Sequence, residues 1–160
     1  MSARTFIALD LSDEILRGLA GVSSSLGQVE GKLRWVAVEN LHVTLRFLGD
    51  VGDDAMAELC RRAQAAAKQI EPFEFEVEGV SCVPPAGKVR MVWAGVRDES
   101  GRMAALYDAL DSELAALGLH EEKRRFTPHL TLARVKYLPG DAAMRAAAEG
   151  LSDRSFGRQL

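Results

Sequence analysis

Two four-residue stretches place a histidine and a threonine two positions apart: His42-Val43-Thr44-Leu45 and His129-Leu130-Thr131-Leu132. They use two of the 3 histidines in the chain. On an extended backbone, side chains at i and i+2 project from one face, so each stretch presents an imidazole and a hydroxyl together and turns its aliphatic pair the other way. Two such strands facing one another gather two imidazoles and two hydroxyls around one small space, which is the equipment for holding and cleaving a phosphodiester. An imidazole with an ordinary pKa of about 6.5 can accept a proton at neutral pH while a second one donates. Threonine hydroxyls, aimed by a stiff χ1, can donate hydrogen bonds to non-bridging phosphate oxygens as charge builds on them. No His, Cys or carboxylate follows either histidine at i+2 to i+4, so the pattern calls for no metal, and nothing else in the chain calls for a cofactor.

Two arginines lie near these pairs. Arg46 shares the parity of His42 and Thr44, which adds it to their face; Arg134 is off-parity with His129 and reaches that face only through a bulge or a strand end. Alternation alone therefore favours Arg46. His120, which follows Gly118-Leu119 at a helix end and has no threonine partner, reads as a surface residue. Trp35 and Phe47 read as core, with stacking on a base as the alternative for an aromatic near the cleft.

The elements that must carry these residues follow from periodicity. Thr5 to Leu9 is a β-branched, apolar strand, and Ser12-Asp13-Glu14 caps a helix through about Leu26. Extended runs from Leu33 to Val38 and from Leu41 to Leu48 are separated by a turn at Glu39-Asn40, with Gly49-Asp50-Val51-Gly52 stopping the second. A helix opens at Asp53-Asp54 and runs to about Gln69. Phe73, Phe75 and Val77 alternate with Glu74, Glu76 and Glu78, which predicts a strand whose glutamate face is solvated. A strand over Val89 to Val96, a helix from Gly101 to about Leu117 and a strand from His129 to Val135 complete the pattern. Each half of the chain thus carries helix, strand and one His-x-Thr-Leu stretch, which suits a pseudo-twofold pair of lobes.

Composition sets the bounds. A chain of 160 residues, 48% hydrophobic and 27% charged, suits one globular domain. A formal net charge of -3 excludes a broadly basic surface that grips long nucleic acid, though not a local phosphate pocket. The opening residues are too briefly apolar for a signal segment or a membrane helix, so a cytoplasmic, soluble protein is expected. Cys60 and Cys82 have no metal-type spacing and read as reduced structural thiols.

At its histidine stretches the sequence resembles the 2H phosphoesterase superfamily, specifically the bacterial RNA 2',3'-cyclic phosphodiesterases once called 2'-5' RNA ligases. The first block is Trp35-Val36-Ala37-Val38-Glu39-Asn40-Leu41-His42-Val43-Thr44-Leu45-Arg46-Phe47-Leu48-Gly49, the second Phe126-Thr127-Pro128-His129-Leu130-Thr131-Leu132-Ala133-Arg134, and Arg4 to Leu9 also fits. The resemblance implies an α+β fold of two pseudo-symmetric lobes of antiparallel sheet with flanking helices around a central cleft. It further implies that His129 activates water and His42 protonates the departing 3' oxygen, leaving a 2'-phosphate. Thr44, Thr131, Arg46 and Arg134 would contact the substrate, an RNA with a 2',3'-cyclic phosphate end or a cyclic nucleotide, and Lys123-Arg124-Arg125 would attract the RNA end. The enzyme would act as a monomer, without metal, cofactor or membrane. Ligation of RNA halves through a 2'-5' linkage, which runs the same groups backwards, and a non-catalytic module that captures RNA ends are the alternatives. Family members usually continue through a further C-terminal strand, whereas this chain ends at Ser155 to Leu160, so an edge strand is expected to be missing.

Overall fold

A computed structural model describes residues 1–119 and 124–160. The chain runs β1 (Ser2–Leu9), α1 (Asp13–Ala20), α2 (Val22–Leu26), β2 (Lys32–Trp35), a 3-10 turn (Val38–Asn40), β3 (Val43–Gly52), α3 (Asp53–Lys68), β4 (Phe75–Val83), β5 (Met91–Arg97), α4 (Arg102–Ala115), β6 (His129–Tyr137), α5 (Ala142–Glu149) and β7 (Ser155–Gln159). The Ser12 hydroxyl accepts from the Ile15 N–H and caps α1, as its position predicts. The helix expected through Leu26 is two helices, because Gly21 interrupts it: a glycine loses more freedom on becoming helical than any other residue.

The strands form two antiparallel sheets. One is the ribbon β1-β3; the other has the order β2-β6-β5-β4-β7. Helix α3 packs on α4 and both touch β3, whereas α1 lies against β7 and α5 against β4. The α+β, two-sheet architecture is the expected one, although the sheets differ in strand number, since β2 crosses from the first half of the chain to pair with β6. A core that includes Ile15, Val43, Leu45, Val77, Val92, Leu130, Leu132 and Met144 joins residues of both sheets. The aliphatic members of the two histidine stretches are thus buried, as alternation requires.

Three expectations need correction. Strand β3 does not stop at Gly49: this glycine adopts φ 70°, a left-handed conformation that lets the chain kink at a bulge and keep pairing with β1 as far as Gly52. The glutamate face of β4 is not solvated at its centre. Strand β4 lies between β5 and β7, Glu76 stands directly opposite Arg97 and Arg158, and only 8% of its surface is exposed. The Ser155 hydroxyl and the Arg97 guanidinium hold the Glu76 carboxyl below the ordinary carboxylate range. Finally, an edge strand is present: Ser155–Gln159 closes the five-stranded sheet, with the Phe156 ring buried beneath it.

Candidate functional site

His42 stands one residue ahead of β3, and His129 opens β6. The two imidazoles are held alike. His42 Nδ1 lies 2.7 Å from the Asn40 carbonyl oxygen, and His129 Nδ1 lies 2.7 Å from that of Thr127. A carbonyl only accepts, so Nδ1 carries the proton in both rings and Nε2 is left for acid-base exchange.

Their surroundings differ. The Phe6 ring stacks on His42 at 4.9 Å and 23°, near solvent, whereas the Trp93 indole covers His129 at 3.6 Å and 13°. Burial lowers the His129 pKa below the ordinary imidazole value, against the opposing pull of the Thr127 carbonyl. An imidazole kept neutral near pH 7 is fitted to accept a proton.

A local symmetry in backbone register decides what else faces the cleft. On β3, Ile7 pairs with Arg46 and the next residue, Ala8, with Thr44, so Leu45 is an extra residue in the strand. On β6, Val92 pairs with Ala133 and Trp93 with Thr131, so Leu132 is the extra residue. Each bulge falls on the leucine that ends a His-x-Thr-Leu stretch, and each reverses the alternation beyond it. The burial pattern is the same in both strands: Leu45 and Arg46 are buried with Phe47 exposed, and Leu132 and Ala133 are buried with Arg134 exposed.

The parity argument for the arginines is therefore inverted. The bulge at Leu45 turns Arg46 toward the helices, where it is 6% exposed and bonds the Asp111 carboxylate of α4. The bulge at Leu132 brings Arg134 round to the face of His129 and Thr131. A recess of about 180 Å³ gathers His42, Thr44, His129, Thr131 and Arg134, with Phe6 and Phe47 in its walls. A larger recess of about 450 Å³ shares Thr44, Phe47, His129, Thr131 and Arg134, and continues past Arg46 to Arg124 and Arg125. All six residues singled out in the sequence thus border the cleft, but Arg46 does so from beneath it. Loss of the Asp111 carboxylate, as in Asp111→Ala, should cost about 2 kcal/mol of stability by removing a largely buried charge partner, seen as a lowered denaturation midpoint.

Phe6 and Trp93, which back the two imidazoles, escaped the sequence reading because only the strand register brings them there. Phe47, read as core, is 66% exposed; Trp35 does pack against the core. The Tyr107 and Phe126 rings stack at 4.5 Å along the larger recess. His120 and Lys123 lie outside the described residues. Among the described residues no group of three or more His, Cys, Asp or Glu is arranged to hold a metal ion, and no helix is long and apolar enough to cross a membrane.

Both the sequence and the fold have counterparts among known proteins. Residues 10–156 match the model of the 2'-5' RNA ligase superfamily. An Archaeoglobus fulgidus protein named RNA 2',3'-cyclic phosphodiesterase is 38% identical over 133 residues, covering 83% of this chain and 73% of its own. A Methanothermobacter thermautotrophicus protein of the same name is 32% identical over 136 residues, covering 85% and 73%. Among solved structures, Escherichia coli LigT complexed with 3'-AMP superposes with a TM-score of 0.69 at 30% identity, over 84% of this chain and 74% of that one. With its paired histidine stretches at one cleft and a family match over nearly its whole length, the chain belongs to the 2'-5' RNA ligase superfamily.

Proposed function

We propose that this protein hydrolyses 2',3'-cyclic phosphodiester ends of RNA to 2'-phosphomonoesters, with His129 as general base and His42 as general acid. The observation that carries the reading is the convergence of both His-x-Thr pairs and Arg134 on one recess of about 180 Å³, a space of phosphodiester size. The names of the relatives support it.

In this mechanism His129 Nε2 takes a proton from water, the resulting hydroxide attacks phosphorus, and the P–O3' bond breaks on the opposite side. His42, entering as imidazolium, passes its Nε2 proton to the departing 3' oxygen. The hydroxyls of Thr44 and Thr131 donate to the non-bridging oxygens, and the Arg134 guanidinium adds charge where the transition state is most negative. Burial of His129, which the Trp93 indole covers, favours its neutral form, and the more open setting of His42 suits a donor that reloads from solvent. Two imidazoles complete the proton balance without a metal ion. Arg46 enters this scheme by bracing β3 against α4 from below.

Residues of both sheets share one hydrophobic core, which supports treating the chain as a single domain. We take it to act as a monomer in the cytoplasm, expectations open to sizing chromatography and cell fractionation. The central test incubates the protein, in EDTA, with a short RNA ending in a 2',3'-cyclic phosphate, and identifies the product by mass and by phosphatase sensitivity. A 2'-phosphate end is expected. A 3'-phosphate would reverse the leaving group, loss of turnover in EDTA would bring in a metal, and an untouched RNA would remove the hydrolase reading.

A further inference from the structure

Arginines of the five-stranded sheet stand directly opposite residues of neighbouring strands on two rungs, and the rungs are built in contrary ways. On one, Glu76 of β4 stands between Arg97 of β5 and Arg158 of β7 and forms an ion pair with each. On the other, Arg34 of β2 stands directly opposite Arg134 of β6, with Met91 of β5 on the far side of Arg134. Both Arg34 and Arg134 are exposed, and among the described residues neither has a carboxylate partner. Like charges directly opposite one another destabilise a sheet. The chain carries 23 acidic residues against 20 lysines and arginines, so no shortage of carboxylates leaves this rung unmatched.

Directly paired residues share a face, with Cβ atoms about 4.5–5.5 Å apart, so Arg34 projects beside Arg134 toward the cleft. Val36, two residues along, confirms the face: its N–H donates to the Leu132 carbonyl, and its side chain borders the recess of the histidines. Arg134 borders that recess too, whereas Arg34 stands one rung outside it. We propose that Arg34 binds the phosphate on the 5' side of the terminal nucleotide while Arg134 serves the reacting phosphate, which makes an oligonucleotide end the favoured substrate over a mononucleotide. This rests on the reading of the cleft as a cyclic-phosphate site. A terminal nucleotide carries the reacting phosphate on its 2' and 3' oxygens and is joined to the rest of the chain through its 5' oxygen. Two anions thus lie one nucleotide apart, to be matched by two cations one rung apart. Binding both relieves the repulsion within the arginine pair. A nucleoside cyclic phosphate brings a single negative charge and leaves Arg34 unmatched.

The test uses two dinucleotides, each a deoxynucleoside followed by a ribonucleoside 2',3'-cyclic phosphate. They differ only in the internal linkage, an ordinary phosphodiester in one and an uncharged methylphosphonate in the other. Wild type should favour the charged linkage, and that preference, taken as a ratio of kcat/KM, should fall by about 5- to 50-fold in Arg34→Ala. This is somewhat below the full value of a hydrogen bond between charged groups, because water and salt reach the pair. Arg34→Lys should keep most of the preference, and Arg34→Glu should turn it toward the uncharged linkage. An unaltered ratio in Arg34→Ala overturns the proposal, even if both substrates are hydrolysed more slowly, since Arg34 would then only support Arg134. A preference lost in Arg125→Ala but kept in Arg34→Ala also overturns it, by sending the upstream phosphate along the larger recess. Absence of wild-type turnover would overturn the hydrolase reading instead, and binding then decides. The same dinucleotides ending in a 2'-phosphate should bind wild type more tightly with the charged linkage and lose that advantage in Arg34→Ala; an advantage retained overturns the assignment of Arg34.

Discussion

Replacing His129 by alanine is expected to lower kcat on a cyclic-phosphate RNA end by about 100- to 10,000-fold, and replacing His42 should cost as much. Losses of this size are the ordinary contribution of a positioned proton-transfer group, and each variant should retain its fold, because neither ring fills the core. The roles differ, and so should the rescue. A substrate whose 3' oxygen is replaced by sulfur releases a stable thiolate and needs no proton on departure. It should restore most of the activity of His42→Ala and little of that of His129→Ala. Restoration of His129→Ala instead would exchange the acid and base assignments. The pH profile gives a second check. Activity rises with pH as the base loses its proton, and burial lowers the His129 pKa, so the acidic limb should lie below the ordinary imidazole value. The same limb should persist in His42→Ala. Near-wild-type turnover by both alanine variants would eliminate the two-histidine mechanism.

The histidines and threonines were legible because their signal is local: an i, i+2 pair on a strand shares a face whatever the rest of the chain does. The same alternation failed four residues beyond His42, because one inserted residue, Leu45, exchanged the faces of Arg46 and Phe47. Nothing in the run Thr44 to Phe47 marks the bulge. Both strands place it on the leucine after the threonine, so its cause is the pairing of β3 with β1 and of β6 with β5, which local sequence does not display. The misreading of Glu76 has a similar origin. Its alternation with Phe75 and Val77 describes the strand correctly, but the solvation of the polar face depends on whether a further strand lies alongside. That strand is β7, whose Ser155 and Arg158 reach Glu76 from the far end of the chain. Trp93 was invisible for the complementary reason: its own strand reads as ordinary core, and only the β5–β6 register lays it over His129.

Arg134 and Arg46 should separate in experiment along the line the two bulges draw. Arg134 is solvent-exposed, and its one side-chain hydrogen bond among the described residues is a long one from Nη1 to the Met91 sulfur at 3.5 Å, so the fold has little stake in it. Arg134→Ala should leave the denaturation midpoint close to wild type and lower kcat/KM by about 100- to 1,000-fold, the usual cost of deleting one donor to a developing oxyanion. Arg134→Lys keeps the charge but gives up the planar fork that matches two phosphate oxygens, and should recover only part of the loss. Arg46→Ala should do the reverse, lowering the midpoint through loss of the bond to Asp111 while the folded fraction keeps most of its turnover per molecule. Both quantities, kcat/KM per folded molecule and the midpoint, are needed for each variant. If Arg134→Ala turns over like wild type while Arg46→Ala folds normally and is inactive, the phosphate is held from beneath β3 rather than from β6, and the roles drawn from the register of the two strands are exchanged.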